Sequence, residues 1–359
     1  MNDVATIPPL AGVTVLDLTR MLPGAVVARQ LLDLGARVVK VEEPDGGDPM
    51  RGVPPLVDGV GLPFAVLLAG AESVTLDLRS PDGAAALRRL AAASDVVVES
   101  FRPGTLDRWG LSAEELRADH AELIGCSLPA FADRPDRVAH DLNLTAEAGV
   151  LDLVPGEAVP AIQLADVGAG LLAASAILAA LLRRERGGGG VWIRQPLESG
   201  VLPFMTWATA EAALGRDRVA AMLLGGACPC YRTYRCGDGR RLAVAALEPK
   251  FWIGFVTAIG ADELAGSGFT VGAEATAVAD AVEARLSDRS AAEWMDLAVR
   301  NGLPVSAVRS VDEAAADVRG VPVPLPDGTR LRCGIPWLDT LATAPSRPAP
   351  RLGQHNHDV

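Results

Sequence analysis

Three kinds of side chain in this 359-residue sequence have types and spacings that could do chemistry: cysteine, histidine and carboxylate. The five cysteines are Cys126, Cys228, Cys230, Cys236 and Cys333. Cys228-Pro229-Cys230, with Cys236 close by, suggests a metal at first sight. Metal-binding pairs are usually spaced C-x2-4-C, and a second pair is missing, so we expect small apolar residues on a turn and a strand and no metal. Four histidines are present, His120, His140, His355 and His357. The last two lie in the tail, so His140, followed by Asp141, is the best placed for proton chemistry. Asp166 stands before Val167-Gly168-Ala169-Gly170, which taken alone is a helix N-cap. Glu248-Pro249 taken alone is an ordinary helix start.

The elements that must position these residues alternate. Val13–Leu18 reads as a buried strand, followed by a Pro23-Gly24 turn, a helix over Ala25–Leu34, a Gly35 cap and a strand over Ala36–Glu42. Ser73–Leu78 is a further strand, and Ser80-Pro81-Asp82 opens a helix to about Ala92. Asp95–Ser100 and Leu123–Leu128 continue the series. Strands alternating with helices imply parallel pairing, hence an α/β fold with a Rossmann-like open sheet. The apolar run from Val167 into Leu182 ends in charged residues and reads as a buried helix, not a membrane span. The glycines at 187–190 mark a break. A strand over 191–195 and a helix over Leu197–Leu214 follow. A hairpin through Gly237-Asp238-Gly239 then begins a smaller α+β unit with helices near Pro249–Ile259, Ala275–Leu286 and Ala291–Arg300. We expect a large domain over 1–190, a linker strand and helix over 191–224, a small domain over 225–300, and a return segment over 301–359 completing the large domain.

A Rossmann-like start invites a dinucleotide, and Glu42-Glu43 sits where a ribose-binding acid would. The first turn, TRMLPGAVVARQLL, holds one glycine where G-x-G-x-x-G needs three, and no G-x-x-x-x-G-K-[ST] loop occurs. We therefore expect no NAD and no P-loop nucleotide. The formal net charge of −12 leaves no basic stripe for nucleic acid. An odd cysteine count, with no basic start and apolar run in Met1–Leu10, points to reduced thiols and a cytoplasmic location.

Eight segments in order resemble the class III CoA-transferase superfamily, the group that includes α-methylacyl-CoA racemase and formyl-CoA transferase. They are PLAGVTVLDLTRMLPG, GARVVKVEEPDGGDPMRG, SVTLDLRSPDG, SDVVVESFRPGTLDRWGLS, AHDLNL, IQLADVGAG, GDGRRLAVAALEPKFW and RLGQHNHD. The resemblance implies a large Rossmann-like domain, a small domain, and a homodimer of interlocked chains with the active site shared between them. Racemases in this group resemble G-H-D-I-N, then an Asp in D-F/V-G-G/A-G, then A-I-E-P-Q-F. Here those stretches are Ala139–Asn143, Ala165–Gly170 and Ala246–Phe251, so the resemblance is on the racemase side. It implies His140, Asp166 and Glu248 as the acid/base set, an acyl thioester as substrate, and no cofactor beyond the CoA part of that substrate.

Racemisation beside a thioester carbonyl needs two proton carriers on opposite faces of a planar enolate. An imidazole ordinarily titrates near neutrality, whereas Asp166 needs its pKa raised, which partial burial can do. Glu248 would orient His140, and a helix-start amide near Asp166 would hold the enolate oxygen. Arg102, Arg108 and Asp141 are the candidate substrate-binding residues. The chain departs from the family at several places. Glu43 stands at a usually basic position, Glu72 enters a stretch that usually carries cations, Leu128–Ala132 replaces a glycine-rich segment, and Cys228-Pro229-Cys230-Tyr231 replaces a plainer motif. Lost cations predict weak CoA binding and a non-standard or carrier-bound thioester. The rival expectations are a CoA-transferase with Asp166 as nucleophile, a repurposed non-catalytic member, and a lyase or isomerase using the same enolate.

Overall fold

The computed structural model describes residues 7–118, 120–154, 156–215, 219–318, 322–332 and 345–358; Cys333 lies outside them. The chain forms two compact units, one of residues 1–148, 161–203 and 317–359, the other of 149–160 and 204–316.

The first unit is built on six parallel strands: β1 (Thr14–Leu18), β2 (Arg37–Glu42), β3 (Glu72–Thr75), β4 (Val96–Glu99), β5 (Ile124–Ser127) and β6 (Trp192–Arg194). Their order across the sheet is β3-β2-β1-β4-β5-β6, the order of doubly wound dinucleotide-binding folds. The strands are runs of Val, Ile and Leu because both faces are covered. Val15, Val38, Val96 and Val98 belong to one core with helix α1 (Met21–Asp33), and Leu16, Val39, Val74 and Val97 to another with helix α2 (Pro81–Ala92). In the loop after β5, helix α3 (Asp141–Glu147) precedes the 22-residue helix α4 (Leu164–Glu185).

Helix α4 is apolar because it is a core helix of this unit. Ala173, Ile177, Ala180 and Leu181 sit in the same core as α1. Its glycines allow close approach: a Cβ on Gly168 would fall 2.2 Å from the Gly200 carbonyl oxygen, and one on Gly170 would fall 2.8 Å from the Pro23 carbonyl oxygen. Two expectations are corrected here. The strand after the 187–190 glycines is not a linker, since Trp192 and Ile193 pair with Gly125 and Cys126 at the edge of the sheet. The helix expected from Leu197 begins as a 3₁₀ segment, Leu197–Val201, and becomes α-helical only as α5 (Leu202–Ala213). Pro203, without a donor, fits that second start.

In the tail, the N–H of His355 donates to the Ser73 carbonyl at 2.9 Å, and His355 Nδ1 accepts from the Ser73 N–H at 3.1 Å. The tail therefore pairs along the outer side of β3, where an edge strand would otherwise be bare.

The second unit holds the antiparallel strands β7 (Tyr231–Arg235), β8 (Arg241–Ala245) and β9 (Val305–Ala307), in the order β9-β8-β7. Helices α6 (Pro249–Ala258), α7 (Gly272–Leu286) and α8 (Ala291–Arg300) pack on them. Gly239 takes φ 78° in the hairpin turn, a conformation glycine adopts without penalty. Cys228, Cys230 and Cys236 are buried free thiols in this core. Among the described residues, no three His, Cys, Asp or Glu side chains gather as a metal site. The unit runs on to 316, where 300 was expected, because β9 pairs with β8.

Candidate active site

All six strands are parallel, so their carboxyl ends share one edge, and ligands of such sheets bind outside that edge where the strand order reverses. The reversal lies between β1 and β4. A cavity of about 230 Å³ opens there, walled by Arg20, Met21 and Pro23 after β1, Ser100–Pro103 after β4, and Leu128–Phe131 after β5. His140 and Asp166 both line it.

Asp166 is the third residue of α4 and is 9% exposed. Burial raises its carboxyl pKa from an ordinary 3.8 to about 6, the neighbouring Asp141 carboxylate adds to the rise, and His140 and a Gln163 hydrogen bond oppose it. That Gln163 Nε2–H donates to Asp166 Oδ2 at 3.3 Å. His140 immediately precedes α3 and is exposed, and its backbone N–H donates to Asn143 Oδ1 at 3.0 Å.

Asp141 has a different task from the substrate contact expected of it. Its Oδ1 accepts the N–H groups of Ala165, at 2.7 Å, and Asp166, at 3.0 Å. It thus caps α4 from another helix and ties the residue after His140 to the residue bearing the second carboxyl. The expected enolate-oxygen donor near Asp166 is corrected by the same contacts, because those two amides already have an acceptor.

The β1–α1 turn is held from beneath by buried charges. Lys40 is 0% exposed, lies 3.2 Å from Asp17 and 3.0 Å from Asp48, and donates to the Thr19 carbonyl at 2.6 Å. Burial alone would lower the Lys40 pKa, but the Asp17 and Asp48 carboxylates outweigh it and raise it. Asp48 Oδ1 also accepts the N–H of Met21, a non-glycine residue held at φ 64°. Strain of this kind persists only where surrounding bonds fix it, and it clusters at ligand sites. The lone glycine of the turn also has a use: a Cβ on Gly24 would fall 1.7 Å from Thr19 Oγ1. Lys40→Met leaves two buried carboxylates without their cation and is expected to cost about 3–5 kcal/mol of stability in urea unfolding. A loss under 1 kcal/mol would deny the network this role.

Of the two arginines named as substrate-binding candidates, Arg102 lines the cavity. Arg108 does not; it donates to Thr105 Oγ1 at 3.1 Å within its own helical turn, Thr105–Arg108. Glu248 lies in the second unit, where it precedes α6, is exposed, and pairs with Lys250 at 2.7 Å. Sequence reasoning missed three arginines in the cavity wall: Arg20, Arg134 and Arg137. Arg134 stacks 3.9 Å over the Phe131 ring and pairs with Glu147 and Glu198. The available signal was Arg134-Pro135-Asp136-Arg137, placed between a strand end and His140.

The two acids thought to repel a CoA phosphate are also corrected. Glu72 opens β3 at the amino-terminal edge of the sheet and pairs with Arg37 at 2.6 Å and Arg347 at 3.0 Å. It is therefore remote from a ligand at the opposite edge. Glu43 is at the carboxyl edge, but Arg20 at 3.1 Å and Arg79 at 3.0 Å neutralise it.

The sequence pattern of CoA-transferase family III matches residues 10–356. Human α-methylacyl-CoA racemase is 36% identical over 71% of the chain and 66% of the racemase. Succinate–glutarate CoA-transferase of Agrobacterium fabrum is 30% identical over 98% of the chain and 95% of that enzyme. Among solved structures, a CAIB/BAIF family protein from Brucella suis superposes with a TM-score of 0.82 at 29% identity, covering 98% of each chain. With a match across nearly the whole sequence and a shared architecture, this chain belongs to CoA-transferase family III.

Proposed function

We propose that this protein is an isomerase of the α-methylacyl-CoA racemase type, moving the α-proton of an acyl thioester through an enolate. One carrier removes the proton from the α-carbon, the electron pair moves onto the thioester oxygen, and the second carrier returns a proton to the opposite face. The supporting observation is that His140 and Asp166 line one cavity, with Asp166 pushed by burial to about 6, in the range where a carboxyl can both take and give a proton near neutrality. Glu248, on its motif alone, is assigned the orienting role for His140 in a homodimer. The exposed Leu202, Phe204 and Trp207 of α5 support a partner chain. The buried free thiols support a cytoplasmic home. With Glu72 and Glu43 paired as described, a CoA thioester is favoured over a carrier-bound one.

Incubating an α-methylacyl-CoA in heavy water is the direct test. Uptake of one deuterium at the α-carbon, with both epimers appearing by NMR, is expected. The transferase relatives support a second reading, in which the Asp166 carboxylate attacks the thioester carbon and CoA leaves. No exchange, together with an Asp166 acyl adduct by mass spectrometry and CoA transfer to a free acid, would replace the isomerase by that transferase.

A further inference from the structure

Glu99 is a buried carboxyl that the chemistry above leaves unused. It ends β4 and is 7% exposed; burial raises its carboxyl pKa, and hydrogen bonds from the Ser127 side chain and the Phe101 N–H oppose that rise. Its Oε2 accepts the Phe101 N–H at 2.7 Å. Beside it, the Trp192 indole N–H donates to Ser127 Oγ at 2.7 Å. Glu99, Ser127 and Trp192 line a second cavity of about 500 Å³ on the same carboxyl edge, twice the size of the one holding His140 and Asp166. The two cavities share Phe101, Arg102, Pro103, Pro129 and Pro135 as a common wall. The larger cavity sets Arg102 and Arg194 against the acidic side chains Glu99, Asp107 and Asp133, while Leu106, Ala113, Ala132 and Trp192 give it apolar surface. A nucleotide phosphate would find no excess of positive charge there, whereas a hydrocarbon chain finds area to bury.

We propose that this second cavity receives the distal part of the acyl group, and that the substrate is a thioester of a medium-length acyl chain carrying a hydroxyl, which donates to the Glu99 carboxyl. The isomerase reading enters only in naming the acyl end as the occupant.

The test is a calorimetric titration with thioesters that lack an α-hydrogen and so cannot turn over: α,α-dimethylbutanoyl-CoA, α,α-dimethyldecanoyl-CoA and the ω-hydroxy form of the latter. The decanoyl ligand is expected to bind about tenfold or more tightly than the butanoyl one. Ala132→Trp and Ala113→Phe, which fill the cavity from different segments of the chain, bring that ratio close to one. Glu99→Leu retains the chain-length preference but removes the advantage of the ω-hydroxyl. A ratio near one in the unaltered protein, or a ratio that both filling variants leave intact, overturns the proposal. If the length preference stands and no deuterium enters α-methyl thioesters, only the isomerase reading falls.

Discussion

Asp166→Asn is expected to make the protein more stable at pH 8 and nearly inactive. The folded-state pKa of about 6 lies above the ordinary 3.8, so between those values the folded protein binds more protons than the unfolded chain. Stability is therefore lost as pH rises from about 4 through 6, and the whole penalty is present above that. Its upper bound is about 3 kcal/mol, at 1.36 kcal/mol per tenfold change in the ionisation constant. An amide carries no charge and avoids the penalty, so urea unfolding at pH 8 is expected to show a gain of about 1–3 kcal/mol that vanishes near pH 4. Exchange of the α-proton is expected to fall by about 10²–10⁴. In the unaltered enzyme, kcat/KM is expected to decline below about pH 6 when Asp166 acts as the base. An Asn variant less stable than the parent at both pH values would show that the carboxylate is not held at an energetic cost.

His140→Ala separates the two functional readings most sharply. The side chain is exposed, and the hydrogen bond of its backbone N–H to Asn143 Oδ1 survives truncation, so stability is expected to change by less than about 0.5 kcal/mol. Deuterium uptake is nonetheless expected to fall by about 10²–10⁴, because one face of the enolate loses its proton carrier. A CoA-transferase using the Asp166 carboxylate would keep most of its activity in this variant. Folded protein with undiminished exchange would remove His140 from the mechanism.

The parts of this structure legible in the sequence are those set by local pattern. The Val-rich strands declare a covered parallel sheet, Ser80 declares the start of α2, and Gly237-Asp238-Gly239 declares a hairpin. The parts that were not legible depend on partners distant in sequence. Asp141 reads as a substrate contact until the amides of Ala165 and Asp166, 24 and 25 positions on, are seen to converge on it. Glu72 reads as a misplaced anion until the sheet puts it on the wrong edge, beside Arg37 and Arg347. Trp192–Arg194 reads as a strand in the sequence, but its place at the edge of the large sheet is set by pairing with the backbone of β5. The segment expected to be helical from Leu197 is 3₁₀ up to Val201, and no periodicity records that Gly200 within it lies against the backbone of α4, where a Cβ would fall 2.2 Å from the Ala165 carbonyl oxygen. His140 and Asp166 are named by motif, whereas the cavity they share is walled in part by Arg20, Met21 and Pro23 of the β1–α1 turn that Lys40 secures from below.

The cap that Asp141 places on α4 has a consequence for how substrate preference can diverge on this scaffold. Two neighbouring residues, one bearing the imidazole and the other gripping the start of the helix that carries the carboxyl, act as a single bracket. Through these bonds the start of α3 and the start of α4 are held in a fixed relation, so under the proposed isomerase reading the two proton carriers rest on one braced support, whatever chain the substrate bears. On that reading, new preferences come from the walls beyond the bracket, where a side chain can grow or shrink without moving the helix starts that Asp141 joins.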